Sequence, residues 1–533
     1  MVLQIHYSGW KGNIQHIIFS CIIADTCIRY GSIVYLHKCV EGAVRKVNLQ
    51  SQKNFCHFLW NLFPFLGLVL WGTLCVTDNL WYDEGYTAAL ISHPIGELLE
   101  ITAQDVHAPF YYVLLKGFYT LCGGGTRFWS LKLFSLLFME AYLFLGKYGV
   151  KYLFDEVTAV YFMLFSLLMP GMCVQAGNAR MYAMGLFFFT ATGLLACAIL
   201  RRSTGKRWIC FCLCSIGSVY SHTFTMIQTF FLYLILLGAL LRQKKTALIK
   251  WYLGSGLAVA ACYMAWLTVL YRQMQSRITS AGANEELFIP DLYTLMDYCK
   301  EWFSAMDTPI TLVVYLGMAL TLFLGYYAVD GMRRGGSRIP AWGMGILGLT
   351  ALMGCLLSYY VTPCFLGRYI FPGFGALALW YAAGMRQISS RRIRAAVMLT
   401  FLICFVMQYR SESGLEYDRG LAEYQKFYEE NVQEEDLIMA TDIHTLYLNV
   451  YHPERPYMVY GYLPSFSPFQ NTTVFTRWEQ LEDVKGTIWL YAFAERDLPG
   501  FSPFYSCEPA FRFHYMYYDF AIYRLEPAGE GQT

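Results

Sequence analysis

The chain has 533 residues, of which 56% are hydrophobic and only 15% are charged. Water cannot solvate a chain this apolar as one globule, so the composition predicts a polytopic membrane protein rather than a soluble one. The formal net charge is only +2, which gives no electrostatic reason to expect nucleic acid as a partner.

Long apolar stretches recur along the chain, most of them near the ~20 residues that a helix needs to cross a bilayer. They cover residues 59–76, 108–121, 128–147, 157–174, 181–200, 208–221, 223–241, 248–270, 309–329, 341–361, 369–385 and 393–407. The stretch 108–121 is short for a full crossing, so we interpret it as a partial or tilted element that makes one net crossing together with the next. The prediction is an all-α membrane bundle of about 11 to 13 transmembrane helices, with about eleven net crossings.

Lysine and arginine clusters between the apolar stretches predict the orientation, because such clusters are retained on the cytoplasmic side. They lie at residues 38–53, 201–207, 242–250, 333–338 and 386–394. With each cluster inside, Asp83, His222, the loop 272–308, Arg368 and everything after Tyr409 face the outside.

The two ends of the chain differ from its middle. Residues 1–55 read as an N-terminal cytoplasmic extension, and residues 56–408 contain the membrane module. After residue 408 the composition becomes polar, and short strand-like segments alternate with helix-like ones. This alternation predicts a small α/β domain over residues 409–533, placed outside the cytoplasm.

Acidic residues follow the first apolar stretch directly. The chain reads Trp-Tyr-Asp-Glu-Gly at 81–85, and Asp-Val-His-Ala-Pro at 105–109 precedes the next apolar stretch. Ionisable groups at the edge of the hydrocarbon layer are costly to desolvate, so acids placed at one mouth of a helical bundle indicate chemistry or transport.

Further motifs follow in a recognisable order. They are His-Ala-Pro-Phe-Tyr-Tyr at 107–112, Asn-Ala-Arg-Met-Tyr-Ala at 178–183, Tyr-Ser-His at 220–222 and Gly-Arg-Tyr at 367–369, followed by Pro372. Together with the acids, this arrangement resembles the integral-membrane GT-C glycosyltransferases, in particular the bacterial group that includes protein O-mannosyltransferases and the aminoarabinose transferase. The resemblance covers roughly residues 59–407.

The resemblance implies a cell-membrane enzyme that moves a sugar, as a hexosyltransferase, from a polyprenyl-phosphate donor to an acceptor on the outer face. The acceptor would be a protein, a lipid or a glycan, and membrane lipids would surround the enzyme. No cofactor and no metal are expected. Relatives often carry an acid where this chain has Asn178, which weakens the case for a divalent cation.

The chemistry suggests roles for the individual residues. A hydroxyl acceptor needs a base, for which Asp83 is the candidate, with Glu84 orienting it or sharing that role. The leaving lipid phosphate needs cations, which Arg180 and Arg368 supply. The other predicted substrate-binding residues are Asp105, His107, Tyr182, His222 and Tyr369.

Simpler interpretations remain open at this stage. Asp83 and Glu84 would also suit the N-terminus of an outer helix beginning near Tyr86, where the helix dipole favours acids. Arg180 and Arg368 would also suit ordinary interfacial positions. The alternative function is a lipid or sugar transporter or flippase, although the inverted repeats and midplane charges typical of secondary transporters are not evident in the sequence.

Overall fold

The computed structural model describes residues 49–124, 127–279, 291–304, 310–460, 463, 467–481, 484, 486–494 and 505–527. Of the predicted N-terminal extension, residues 1–48 lie outside the described residues, and residues 49–55 begin the first helix. The predicted loop 272–308 is described only in part. Its described portion contains the end of one helix and the whole of another.

Within the described residues, the membrane module consists of helices and the loops that join them. In chain order they are α1 Leu49–Cys75, α2 Tyr82–Ser92, α3 Ile95–Gln104, α4 Phe110–Leu121, α5 Trp129–Leu145, α6 Glu156–Leu168, α7 Pro170–Ala176, α8 Tyr182–Arg201, α9 Gly205–Ser221, α10 Thr223–Arg242, α11 Ile249–Thr279, α12 Leu292–Phe303, α13 Thr311–Arg333, α14 Ile339–Tyr360, α15 Phe374–Gln387 and α16 Arg391–Glu416. A π turn, Gly146–Val150, continues α5 as far as Leu153.

Length and apolar content qualify seven helices of the described chain to cross a membrane. They are α5 with its extension, α8, α10, α11, α13, α14 and α16. The pair α6 and α7 would add an eighth crossing, although its two halves are bent by 65°. The membrane bundle is therefore confirmed, while the total of about 11 to 13 helices stays a prediction.

The segment that carries the acids leaves the bundle and returns to it on the same side. Oδ1 of Asp78, just after α1, accepts the main-chain N–H groups of Phe128 at 2.7 Å and Trp129 at 3.2 Å. The end of α1 and the start of α5 are therefore adjacent, and α2 to α4 lie between them as an excursion. This arrangement agrees with the interpretation of the stretch 108–121 as a partial element.

The C-terminal domain is a small α/β unit, as predicted. It contains α17 Gly420–Asn431, β1 Leu437–Ala440, α18 Ile443–Leu446, β2 Tyr457–Tyr460, β3 Thr472–Phe475, β4 Ile488–Phe493, β5 Tyr505–Tyr515 and β6 Tyr518–Pro527. The sheet order is β3-β2-β1-β4-β6-β5, with β1 to β4 parallel and β6 antiparallel to both neighbours. Strands β1 and β4 are almost entirely buried, as expected for central parallel strands.

This domain packs directly against the segment that joins α1 to α2. The main-chain N–H of Leu80 donates to the hydroxyl of Tyr515 at 2.8 Å, and Nδ2 of Asn79 donates to the main-chain oxygen of Asp418 at 2.9 Å. A Cβ atom at Gly85 would lie 2.7 Å from the ring of Tyr447, so glycine permits the close approach. The domain and Asp83 thus share one end of the bundle.

Candidate active site

Asp83, in the first turn of α2, lies between two guanidinium groups. Its Oδ2 atom is 3.6 Å from Nε of Arg180 and 3.8 Å from Nη2 of Arg368. Both separations are longer than a hydrogen bond, so the arginines act on the carboxylate as charges and leave its oxygen atoms able to accept a proton. The side chain is 16% exposed. One carboxylate beside two cations gives this place a net positive charge.

Arg180 is fixed by the loop between α7 and α8 and by its neighbours. Its Nη1 donates to the main-chain oxygen of Asp83 and to the hydroxyl of Thr87, each at 3.4 Å, and its Nη2 lies 3.0 Å from Nε2 of His107. A guanidinium only donates, so Nε2 of His107 accepts, and Nδ1 carries the proton of the neutral ring. Burial acts to lower the pKa of Arg180, but the Asp83 carboxylate raises it overall. Arg180 is therefore a buried, charged donor.

Arg368 reaches the site from a 3-10 turn, Gly367–Gly373, that packs against α12. Oε2 of Glu301 accepts the main-chain N–H of Arg368 at 2.9 Å, and Nε1 of Trp302 donates to the first carbonyl oxygen of the turn at 2.8 Å. The guanidinium lies 5.8 Å from the centre of a ring of Trp81, within the range of a cation–π interaction. Helix α12 and Trp81 thus hold Arg368 independently of Arg180.

Three rings line the side of the cluster formed by α8, α10 and the 3-10 turn. The ring centre of His222 is 4.6 Å from that of Tyr369, 5.8 Å from that of Tyr182 and 5.5 Å from that of His107. Nδ1 of His222 accepts the main-chain N–H of Phe224 at 3.1 Å. Burial, together with the positive charges of the two arginines, lowers the pKa of His222 to about 3. The ring is therefore neutral at pH 7 and carries its proton on Nε2.

Glu84 follows Asp83 in the sequence, but its carboxylate faces Lys132 of α5. Oε1 accepts the main-chain N–H of Ala179 at 2.8 Å, and Oε2 accepts that of Trp81 at 3.4 Å and lies 3.5 Å from Nζ of Lys132. Burial raises the pKa of Glu84 to about 7, although the charge of Lys132 opposes this. Helix α2 begins at Tyr82 rather than near Tyr86, so Glu84 also satisfies its N-terminus. These contacts suit a residue that positions the main chain.

Asp105 ends α3, two residues before His107. After burial, its charge is the largest cause that raises the pKa of Tyr86, and it also acts on Arg180. It therefore lies at the margin of the cluster. The sequence-predicted residues that the fold brings together are Asp83, His107, Arg180, Tyr182, His222, Arg368 and Tyr369.

Two charged residues beside the site, Lys132 and Glu301, were not among the sequence-based candidates. Lys132 is completely buried and forms ion pairs with Glu84 and Glu416. It interrupts an apolar stretch, and a charge in such a stretch is costly, so the sequence held a usable signal for it. Glu301 carries no comparable signal, because its contact depends on how α12 packs against the turn that holds Arg368.

Asn178 carries an amide where the resemblance led us to expect an acid. Its Oδ1 accepts from Nε1 of Trp81 at 3.4 Å, and its Nδ2 donates to Oε1 of Gln175 at 3.2 Å. The amide thus supports the aromatic ring over which Arg368 lies. Within the described ranges, no group of three or more His, Cys, Asp or Glu side chains has an arrangement suited to a metal ion.

No protein-family model matches the sequence, and no curated protein matches it significantly. Among solved structures, apo ArnT from Cupriavidus metallidurans matches with a TM-score of 0.60 at 11% identity, over 88% of this chain and 98% of that chain. ArnT bound to undecaprenyl phosphate gives 0.58 at 12% identity, over 86% and 97%. The oligosaccharyltransferase AglB from Archaeoglobus fulgidus, in complex with an inhibitory peptide and a dolichol-phosphate, gives 0.43 at 12% identity, over 79% and 64%.

At these identities the likeness to ArnT establishes the fold. ArnT, an aminoarabinose transferase, is a GT-C glycosyltransferase, so this chain has an ArnT-like GT-C fold. The predicted resemblance is thereby confirmed at the level of fold. The apolar helices and the fold together make the chain a multi-pass membrane protein.

Proposed function

We propose that this chain is a glycosyltransferase that moves a sugar from a polyprenyl-phosphate-linked donor to a hydroxyl acceptor on the outer face of the membrane. One observation carries the proposal: the carboxylate of Asp83 lies within 4 Å of two guanidinium groups in a GT-C fold. Base and cations are the two kinds of group that this transfer requires.

In the proposed step, an acceptor oxygen attacks the anomeric carbon of the sugar while Asp83 takes the hydroxyl proton. The bond between that carbon and the phosphate oxygen breaks, and its electron pair leaves with the polyprenyl phosphate. The acceptor oxygen loses a proton as it forms the new glycosidic bond, so the charges balance. Asp83 suits this role because its oxygens face two charges at more than hydrogen-bond distance and are not locked by them.

Arg180 and Arg368 are proposed to bind the donor phosphate and to stabilise the charge that develops on it. Nε of Arg180 is buried and makes no hydrogen bond to any described residue, so it has a donor to offer an anion. A buried guanidinium that is fixed before the substrate arrives stabilises a developing anion more than a mobile surface charge would. Nε2 of His222 and Nδ1 of His107 would donate to phosphate or sugar oxygens nearby.

The outer face is proposed from the lysine and arginine clusters. The C-terminal domain shares the end of the bundle that contains Asp83, and the clusters at 201–207 and 386–394 follow α8 and α15 at their other ends. The domain would then be extracytoplasmic and lie beside the acceptor. A protein, a lipid or a glycan would all present a suitable hydroxyl there.

The test uses the purified full-length chain in lipid nanodiscs, with undecaprenyl phosphate as the donor lipid. A panel of donors carries either a hexose, as the resemblance to mannosyltransferases implies, or aminoarabinose. Transfer of labelled sugar to protein, lipid or glycan acceptors supports the proposal. In sealed proteoliposomes of the same chain, a lipid-linked sugar that crosses the bilayer intact, with no transfer to any acceptor, would favour the transporter alternative and contradict the proposal.

Two arginine variants, one in the site and one as its control, test the proposed phosphate site. Arg368→Gln should weaken undecaprenyl phosphate binding by about 10 to 100-fold, because a hydrogen bond to a charged group contributes about 1.5–3 kcal/mol. Arg334→Gln is the matched control, since Arg334 follows the last residue of α13, is 76% exposed and pairs with Asp330. Equal affinity in the two variants would remove Arg368 from the phosphate site.

A further inference from the structure

Lys132 of α5 is a buried cation that the proposed transfer does not use. Its side chain is 0% exposed and lies between two carboxylates, those of Glu84 and Glu416. A buried charge is retained only where partners compensate its desolvation, and this lysine has two. The three residues form what we call the buried triad. It lies where the membrane bundle meets the C-terminal domain.

Through Glu84, the triad binds the main chain of the two segments that carry Asp83 and Arg180. Glu84 is next to Asp83, and its Oε1 accepts the N–H of Ala179, the residue before Arg180. The same carboxylate accepts the N–H of Trp81. The loop of Asp83 and the loop of Arg180 are therefore joined through one side chain, which Lys132 holds in place.

The triad also holds the last residue of α16. Glu416 ends the helix that leads into the C-terminal domain, where the negative end of the helix dipole disfavours an acid. Its Oε2 is bound by Lys132 and by the hydroxyl of Thr77 at 2.8 Å, and Nδ2 of Asn79 donates to its main-chain oxygen at 3.3 Å. An acid at this unfavourable place is compensated by the buried lysine.

We propose that the buried triad is a positioning device that ties the root of the C-terminal domain to the two loops that carry Asp83 and Arg180. The inference rests on the proposed transfer function and adds to it a route by which the domain sets the geometry of the site. A displacement at the end of α16 would be transmitted through Lys132 and Glu84 to the 3.6 Å separation of Asp83 and Arg180. Among the described residues, Lys132 pairs with Glu84 and Glu416 and not with Asp83 or the arginines, so it acts through Glu84. Glu416 also contacts Thr77 and Asn79, in the segment that leads to Asp83.

The first test measures turnover and donor binding in Lys132→Met and Glu416→Gln, each in the full-length chain in nanodiscs. We expect kcat to fall at least about tenfold in both, with a smaller loss of affinity for undecaprenyl phosphate, because the triad positions Arg180 whereas α12 holds Arg368 without it. The matched control is Lys147→Met, a buried lysine at the other end of the same helical span. Wild-type kcat in Lys132→Met would overturn the proposal. If Lys132→Met does not fold, wild-type kcat in Glu416→Gln would overturn it.

A second readout does not require transfer. In Asp83→Cys, with Cys122 and Cys262, the exposed cysteines among the described side chains, changed to serine, the flanking arginines should lower the thiol pKa, which is measured by alkylation rate against pH. Adding Glu416→Gln removes a negative charge, so electrostatics alone would lower that pKa further, whereas loss of positioning should raise it. A higher thiol pKa supports the proposal, and an unchanged or lower one overturns it. Absence of transfer in the wild type would refute the proposed function and leave this readout decisive for the triad.

Discussion

Replacement of Asp83 by asparagine separates the role of a base from that of a phosphate ligand. The amide keeps the shape of the side chain but cannot accept the proton of the acceptor. Loss of a general base lowers the transfer rate on the order of 10² to 10⁴, equivalent to about 3–5 kcal/mol in the barrier. We therefore expect kcat of Asp83→Asn to fall by that factor while the chain still folds and inserts.

For binding of the donor lipid, the geometry predicts that Asp83→Asn causes no loss of affinity. Two unit charges at the 3.6 and 3.8 Å separations seen here interact by about 1 kcal/mol in water and about 4 kcal/mol at an effective dielectric constant of 20. Partial exposure of Asp83 reduces the larger figure. Removal of this anion leaves Arg180 and Arg368 less neutralised. The affinity for undecaprenyl phosphate should therefore stay the same or increase as turnover collapses.

The assay pairs single-turnover transfer of labelled sugar with equilibrium binding of undecaprenyl phosphate, both in nanodiscs. Asp519→Asn serves as the control, because Asp519 is 64% exposed and pairs with His514 on the C-terminal domain. Near wild-type turnover of Asp83→Asn would refute the base assignment. A parallel loss of lipid affinity would show instead that Asp83 organises the phosphate site.

Three further outcomes are expected. EDTA should leave transfer intact, because the proposed phosphate ligands are arginines; activity that a chelator abolishes and a divalent cation restores would contradict this. In intact cells, an impermeant thiol reagent should label Glu508→Cys on β5 but not Ser337→Cys between α13 and α14, and the reverse pattern would invert the orientation. Burial raises the pKa of Glu84 from its ordinary value of 4.5 to about 7, so the folded chain binds this proton more tightly than the unfolded chain does. The free energy of unfolding should therefore decline as the pH rises from about 4.5 through 7. In Glu84→Gln, the unfolding temperature should lack the part of the decline that comes from Glu84. Identical profiles of unfolding temperature against pH in this variant and the wild type would argue against the assignment.

Much of the bundle was predictable because its signal is local. A run of apolar residues long enough to cross a bilayer is visible in any window of the chain, and α8, α10, α13 and α14 match the predicted stretches closely. The C-terminal sheet was visible in the same way, through short strand-like segments. Arg180 and Arg368 were placed on one face by counting crossings, although 188 positions separate them in the sequence.

The parts that escaped prediction depend on packing between distant segments. Helix α12 lies within the predicted loop 272–308 and has charged residues among its apolar ones, so it gives no membrane signal. Its Glu301 and Trp302 matter only because the 3-10 turn with Arg368 packs against them. The ion pairs of Lys132 similarly join residues that are 48 and 284 positions away.

For the adjacent acids Asp83 and Glu84, helix geometry makes a prediction that requires no knowledge of long-range contacts. Successive residues of an α-helix point about 100° apart, so two neighbouring carboxylates in a first turn cannot both face the same pair of cations. Here Asp83 faces the arginines and Glu84 faces Lys132 and the N–H of Ala179. The tandem acids therefore serve two purposes. In the proposed transfer Asp83 takes the acceptor proton, whereas Glu84, only 1% exposed, binds the main chain of the segments that carry Asp83 and Arg180.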